Sequence, residues 1–340
     1  MNRKKFLSSL VVAGAAVPGL AYSIPHESDD NPAPILPKYL RPGDTIGITC
    51  PAGCITEEEI QPARLQLLQW GFTVQVGHTV GKKDFTFGGT DEERARDFQA
   101  MLDDPKIKAI MCARGGYGFV RIIDRLDFTR FAAKPKWIIG FSDVTVLHSH
   151  LNRNYGIASI HSKMCNSFPG NWSKADPVQI ETILSIKQAL MGEKLKYPIA
   201  IHPQNKPGRA EGVLVGGNLK TIETLAGSRS DLRTTNKILF VEDTGEYLYS
   251  IDRMFWNLKR TGKLNHLAGL IVGGFKVKPD EPGEEFGRTV QQIVLEKVED
   301  YNYPVCFDFP VGHQRNNFAL KCGVRHRLVV SHDEVLLKEV

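Results

Sequence analysis

Ser142 lies in Lys136–His150 (KWIIGFSDVTVLHSH), the stretch of this chain best arranged for chemistry. Trp137-Ile138-Ile139 is a short apolar run ending on Gly140, which reads as a buried strand. Val144, Leu147 and Leu151 then recur at helical spacing. A serine on a tight turn between strand and helix has its hydroxyl lifted clear of the sheet. The N–H groups opening the helix face any oxyanion that forms beside it. Such a nucleophile needs a base to take its proton and an acid to orient that base.

Those partners must come from elsewhere in the chain. His148 and His150 are nearest in sequence, but they ride the helix that leads away from Ser142. His78, His202, His266, His326 and His332 fall in polar stretches and are expected at the surface. His161 and His313 remain as candidate bases, His313 at a strand-to-loop exit, Pro310-Val311-Gly312-His313-Gln314. The candidate acids are Glu242 and Asp243, which end the strand Ile238–Val241, and Asp308, which ends another and could equally orient its own turn. Ser, Glu and His at three strand ends make a coherent triad. Ala113-Arg114-Gly115-Gly116-Tyr117-Gly118 has neither Gly-Lys-Ser/Thr nor G-x-G-x-x-G, which argues against phosphate binding. A backbone N–H near Gly116 could instead join that of Asp143 as an oxyanion hole.

The elements that must hold these groups are readable. Thr45–Thr49, Phe72–Val76, Ile107–Cys112 and Trp137–Ile139 read as strands. Between them come a helix from Gln61 to Trp70, with Pro62 in its first turn, and one opened by the capping box at Thr90 with Ala95, Phe98, Met101 and Leu102 inward. This alternation implies an α/β fold with a parallel sheet and functional loops at the carboxyl ends of its strands. The domain reading is residues 38–170 carrying the nucleophile, 171–207 as a connection with a helix near Val178–Leu190, and 208–340 carrying acid and base in a smaller α/β domain.

Arg3, Lys4 and Lys5 followed by the uncharged run Phe6–Leu20 and Ala21-Tyr22-Ser23 read as a cleaved signal peptide over residues 1–23, with a linker at 24–37. The run is shorter than the ~20 residues that span a bilayer, so the mature protein is expected to be exported, periplasmic and not inserted in the membrane. Removing the three n-region charges takes the formal charge from +5 to +2, and no Lys/Arg run suggests a nucleic-acid partner. The six cysteines permit disulfides. Cys50, Cys112 and Cys306, however, sit in apolar runs that suit buried thiols, and Cys50-x-x-x-Cys54 lacks zinc-ligand spacing, so no metal is expected.

Seven stretches in order resemble the LD-carboxypeptidase family of serine peptidases. They are Arg41-Pro42-Gly43-Asp44, the 113–118 loop, Ile139-Gly140-Phe141-Ser142-Asp143, Glu211-Gly212-x-Leu214-x-Gly216-Gly217-Asn218-Leu219, Glu242-Asp243, Ile251-Asp252-Arg253 and Gly312-His313. The resemblance covers the chain from about Pro37 onward. It implies Ser142 as nucleophile, Glu242 as acid, His313 as base and the Gly116 and Asp143 amides as oxyanion hole. It also implies a Rossmann-like N-terminal domain, a swivelling-type C-terminal domain, a homodimer and no cofactor. The expected reaction is hydrolysis of the L,D bond before the terminal D-Ala of a peptidoglycan tetrapeptide, with a muropeptide as substrate and Arg114 as a candidate for the free carboxylate. The alternatives are an amidase on microcin-C-like peptide–nucleotide conjugates and a catalytically silent muropeptide-binding protein. His161-Ser162-Lys163-Met164 departs from the His-Gly-Pro-Met common in that family and adds a cation.

Overall fold

The computed structural model describes residues 34–340; the expected signal peptide lies outside the described residues. Chain order alternates strands and helices. β1 (Thr45–Thr49), α1 (Glu57–Gln69), β2 (Thr73–Val76), α2 (Asp91–Asp103), β3 (Ile107–Cys112), α3 (Thr129–Ala133), β4 (Trp137–Gly140), α4 (Thr145–Tyr155) and β5 (Ser159–His161) come first. α5 (Pro177–Met191), β6 (Lys196–Ile199), β7 (Gly208–Asn218), α6 (Leu219–Thr224), β8 (Lys237–Glu246) and α7 (Leu248–Arg260) follow. The chain ends with β9 (Gly269–Val277), α8 (Val290–Val298), β10 (Val305–Cys306), β11 (Leu320–Cys322), β12 (Arg325–Val330) and β13 (Val335–Glu339).

Two sheets result. The first runs β11-β5-β4-β3-β1-β2, parallel from β5 to β2, with β11 antiparallel at its edge. Its strands bury both faces: Ile46, Ile48, Met111 and Ile139 pack with α1, while Ile107, Ile110 and Ile138 pack with α2 and α4. Near-continuous apolar strands are what a sheet covered on both sides requires. The second sheet runs β10-β9-β8-β7-β12-β13-β6, parallel through β10–β7 and antiparallel beyond. This is the α/β architecture expected from the sequence, with a Rossmann-like first sheet and a second α/β layer.

Several local expectations need correction. α1 starts at Glu57, not Gln61, because Thr56 and Glu59 form a capping box; Pro62 therefore lies inside the helix. His326, expected at the surface, is buried and hydrogen-bonded to the Val324 carbonyl (3.0 Å). Ile35, placed in the solvated linker, exchanges backbone bonds with Gly156 and Ala158 (2.8 and 2.9 Å). The six cysteines are free thiols, five of them buried. Among the described residues no helix is long and apolar enough to cross a membrane.

Candidate active site

β4 ends at Gly140, and the chain turns through Ser142 with φ +62° before entering a short 3-10 turn that leads into α4. A non-glycine residue in the left-handed region costs about 1–3 kcal/mol and persists only where its surroundings enforce it. Here the neighbours do so. A Cβ on Gly140 would meet Val144 Cγ2 at 2.8 Å, and one on Gly115 would meet Ser142 Cβ at 3.1 Å. The turn thus fits only because glycines flank it.

The glycine-rich loop after β3 is fastened beside Ser142 from two sides. The Phe119 N–H donates to Asp143 Oδ2 (2.7 Å), so the residue after the serine holds the loop. Buried Arg94 donates from Nη1 to the Gly118 and Pro51 carbonyls (2.9 and 2.6 Å) and from Nε to Gly89 O (3.2 Å), and it pairs with Asp91. Arg94 was missed in the sequence, although it lies four residues before Phe98 and so on the buried face of α2. Gly116 has φ +98°. Among the described residues no protein acceptor takes the Gly116 or Asp143 amide N–H. Burial pushes the Asp143 carboxyl up to about 6, opposed by the Phe119 amide and by Arg94.

Glu242 and His313 meet across the end of the second sheet. Glu242 sits where the β8–β9 register shifts between Val241 and Asp243, a bulge of the kind that re-aims a side chain. Its Oε2 lies 2.6 Å from His313 Nδ1 and also accepts the His313 backbone N–H (3.2 Å). Glu242 is fully buried, and the His313 side chain is 20% exposed. The approach depends on Gly312, at φ +105°, whose Cβ would meet Glu242 Cβ at 2.5 Å. Buried Asn317, another residue the sequence did not flag, accepts the Gly312 N–H (2.9 Å). With Nδ1 turned to the carboxylate, Nε2 is left as the proton acceptor.

The remaining candidates have other occupations. His148 is bonded to Ser159 Oγ (2.7 Å) and Gly140 O (2.9 Å), and His150 to Ser230 Oγ (2.9 Å). His161 is wholly buried, edge-on to Phe141 and Phe240, and its burial depresses its pKa far below the usual range. Asp243 accepts from Asn218 Nδ2, Lys220 N and Thr244 N (3.0, 2.9 and 2.7 Å), and burial raises it to about 6. Asp308 is exposed, 3.7 Å from His202. Arg114 donates to Cys54 O (3.1 Å) and lines neither cleft described next.

The Phe141 ring joins the two halves: its centroid is 4.9 Å from that of His313, and Ser142 is the next residue. Among the described residues no hydrogen bond links Ser142 to His313. Ser142, Gly116 and Asp143 line a cleft of about 360 Å³ with Asn218 and Asp243. His313 and Phe141 line a second, of about 450 Å³, with Lys163, Gln179, Lys276 and Arg315. Among the described residues no cluster of His, Cys, Asp and Glu could hold a metal ion.

A strained serine at a strand–helix junction, with an imidazole–carboxylate pair close by, is the outline of a serine hydrolase on an α/β scaffold. Residues 46–162 match the LD-carboxypeptidase N-terminal domain and residues 211–328 its C-terminal domain, so the chain belongs to the LD-carboxypeptidase family of serine peptidases. A Bacillus subtilis protein named as a probable murein peptide carboxypeptidase is 33% identical over 85% of this chain and 90% of its own length. The crystal structure of muramoyltetrapeptide carboxypeptidase from Oxalobacter formigenes has a TM-score of 0.76 at 27% identity, covering 87% of this chain and 98% of that one. The microcin C7 self-immunity protein of Escherichia coli is 26% identical over 90% of this chain and 96% of its own length.

Proposed function

We propose that the chain is a carboxypeptidase that removes the terminal D-Ala of peptidoglycan tetrapeptides through a Ser142–His313–Glu242 triad. Ser142 Oγ attacks the carbonyl that precedes D-Ala, and His313 Nε2 takes the hydroxyl proton. The tetrahedral oxyanion is held by the Gly116 and Asp143 amides. On collapse, the C–N bond breaks and His313 returns the proton to the departing amine. A water, activated by the same ring, then hydrolyses the Ser142 ester and restores the serine. Glu242 fixes the imidazole tautomer and offsets the charge of the imidazolium.

The observation that carries this reading is the 2.6 Å pairing of His313 Nδ1 with buried Glu242, next to a serine held at φ +62°. Catalytic hydrogen bonds are often long before substrate binds, so an open Ser142–His313 gap is compatible with it. The n-region and apolar run at residues 3–20 support an exported protein acting on wall peptides, and the family resemblance supports a homodimer. The likeness to the microcin C7 self-immunity protein supports a second reading, hydrolysis of a peptide–nucleotide conjugate at the same serine. Mass spectrometry of a muramyl tetrapeptide incubated with wild type or Ser142→Ala tests the first. D-Ala release by wild type alone supports it; equal release by both variants, or none by either, overturns it.

A further inference from the structure

The second cleft has a charge that the catalytic groups do not explain. Lys163 follows β5 and Lys276 lies near the end of β9, and both line the cleft that holds His313. Lys163 Nζ donates to the Gln314 carbonyl (2.6 Å) and stands 5.5 Å from the Phe141 ring centroid. An ammonium has three donors, so two remain to be used. Lys276 has no carboxylate at ion-pair distance among the described residues. Of the other charged groups here, Asp176 is taken by Arg315 (2.6 Å) and Glu242 faces His313. Half-buried Lys163 and exposed Lys276 thus share one cleft, and among the described residues neither has a carboxylate at ion-pair distance. Burial and the neighbouring Lys276 charge lower the Lys163 pKa to about 8, opposed by Glu242.

The position of His313 says which part of the substrate would supply a counter-charge. In the proposed reaction the departing amine receives its proton from this ring, so the residue attached to that amine lies on the His313 side of Phe141. The Ser142 cleft is left for the acyl portion. A carboxypeptidase's leaving residue differs from an internal one only in its free carboxylate. We propose that Lys163 and Lys276 form the site that recognises the terminal carboxylate of the leaving amino acid, making Lys163 a determinant of exopeptidase specificity. This rests on the function proposed above and assigns to the cleft a role first considered for Arg114.

The test compares a muramyl tetrapeptide ending in D-alanine with the same peptide ending in D-alaninamide. Rates are measured for wild type, Lys163→Met, Lys163→Arg and Lys276→Met. A charge-assisted hydrogen bond made to only one of the two substrates corresponds to a roughly ten- to hundredfold difference in rate. Wild type should favour the free acid by at least that factor. Lys163→Met and Lys276→Met should abolish the preference by slowing the acid alone, and Lys163→Arg should keep most of it. The amide rate serves as the control for folding. Equal slowing on both substrates, or a wild type that cleaves acid and amide alike, overturns the proposal. Failure of the underlying function reads differently: wild type would release no more than Ser142→Ala from either peptide, and the proposal would fall with it.

Discussion

The carboxylate of Glu242 and the imidazole of His313 come together at 2.6 Å, although 71 residues separate them in sequence. Glu242 reaches the ring from a bulge at β8, and His313 arrives on a loop bridged to β9 through Gly274 and Gly312. If this pair sets the tautomer, Glu242→Gln keeps the shape and removes the charge. The expected loss in kcat is about 10³–10⁴-fold, with the melting temperature much less affected. Stopped-assay kinetics beside a thermal melt check it. A tenfold or smaller loss would mean that the carboxylate serves only packing.

Gly312→Ala addresses how that pair is assembled. The new methyl would stand 2.5 Å from Glu242 Cβ, at a backbone angle of +105° that side chains avoid. We expect about 2–4 kcal/mol of destabilisation and a His313 loop displaced from Glu242. Urea unfolding reads the first and residual activity the second. A variant of wild-type stability and rate would show that the close approach is not required.

Arg94→Met should loosen the loop beside Ser142. It would leave the backbone carbonyls of Pro51 and Gly89 without their donor, and Gly118 O with the Arg121 N–H alone (3.1 Å). Unsatisfied buried acceptors cost about 1–3 kcal/mol each before relaxation, so a loss of roughly 3–5 kcal/mol is expected. Hydrogen exchange of residues 114–119 should rise with it. Unchanged exchange there would assign Arg94 to packing elsewhere.

Asp143 gives a pH signature in stability. Burial raises its carboxyl from 3.8 to about 6, so the folded protein holds this proton more tightly than the unfolded chain. The stability it contributes is complete below 3.8 and is lost as pH rises through about 6. Asp143→Asn cannot ionise. Its stability relative to wild type should therefore improve between pH 4 and pH 7 by roughly 2–3 kcal/mol, whatever its absolute sign. Denaturant midpoints at both pH values measure this, and a constant difference would contradict it.

What could be read from the sequence was local. β1 and β3 were legible as apolar runs, and α2 announced itself through Thr90 and Glu93. The strand–helix turn at Ser142 followed from Gly140 and the helical spacing after it. β11 was not legible, because Leu320-Lys321-Cys322 puts a lysine where a strand core is expected. Lys321 is nevertheless fully buried, paired with Glu339 (2.9 Å) and bonded to Glu193 O (2.9 Å). Such pairing is non-local and leaves no periodic trace. His326 was misplaced for a similar reason: Arg325 and Arg327 flank it, yet alternation along β12 turns it inward. The Glu242–His313 contact could be named only through the family resemblance, since sequence spacing says nothing of which strand ends adjoin.

If Ser142 is a nucleophile made reactive by His313, its hydroxyl should be phosphonylated only while that imidazole is present. A fluorophosphonate probe followed by peptide mass mapping tests it most directly. A stoichiometric adduct on Ser142 is expected in wild type, and almost none in His313→Ala. An adduct on another residue, or equal labelling of Ser142 in both proteins, would contradict it.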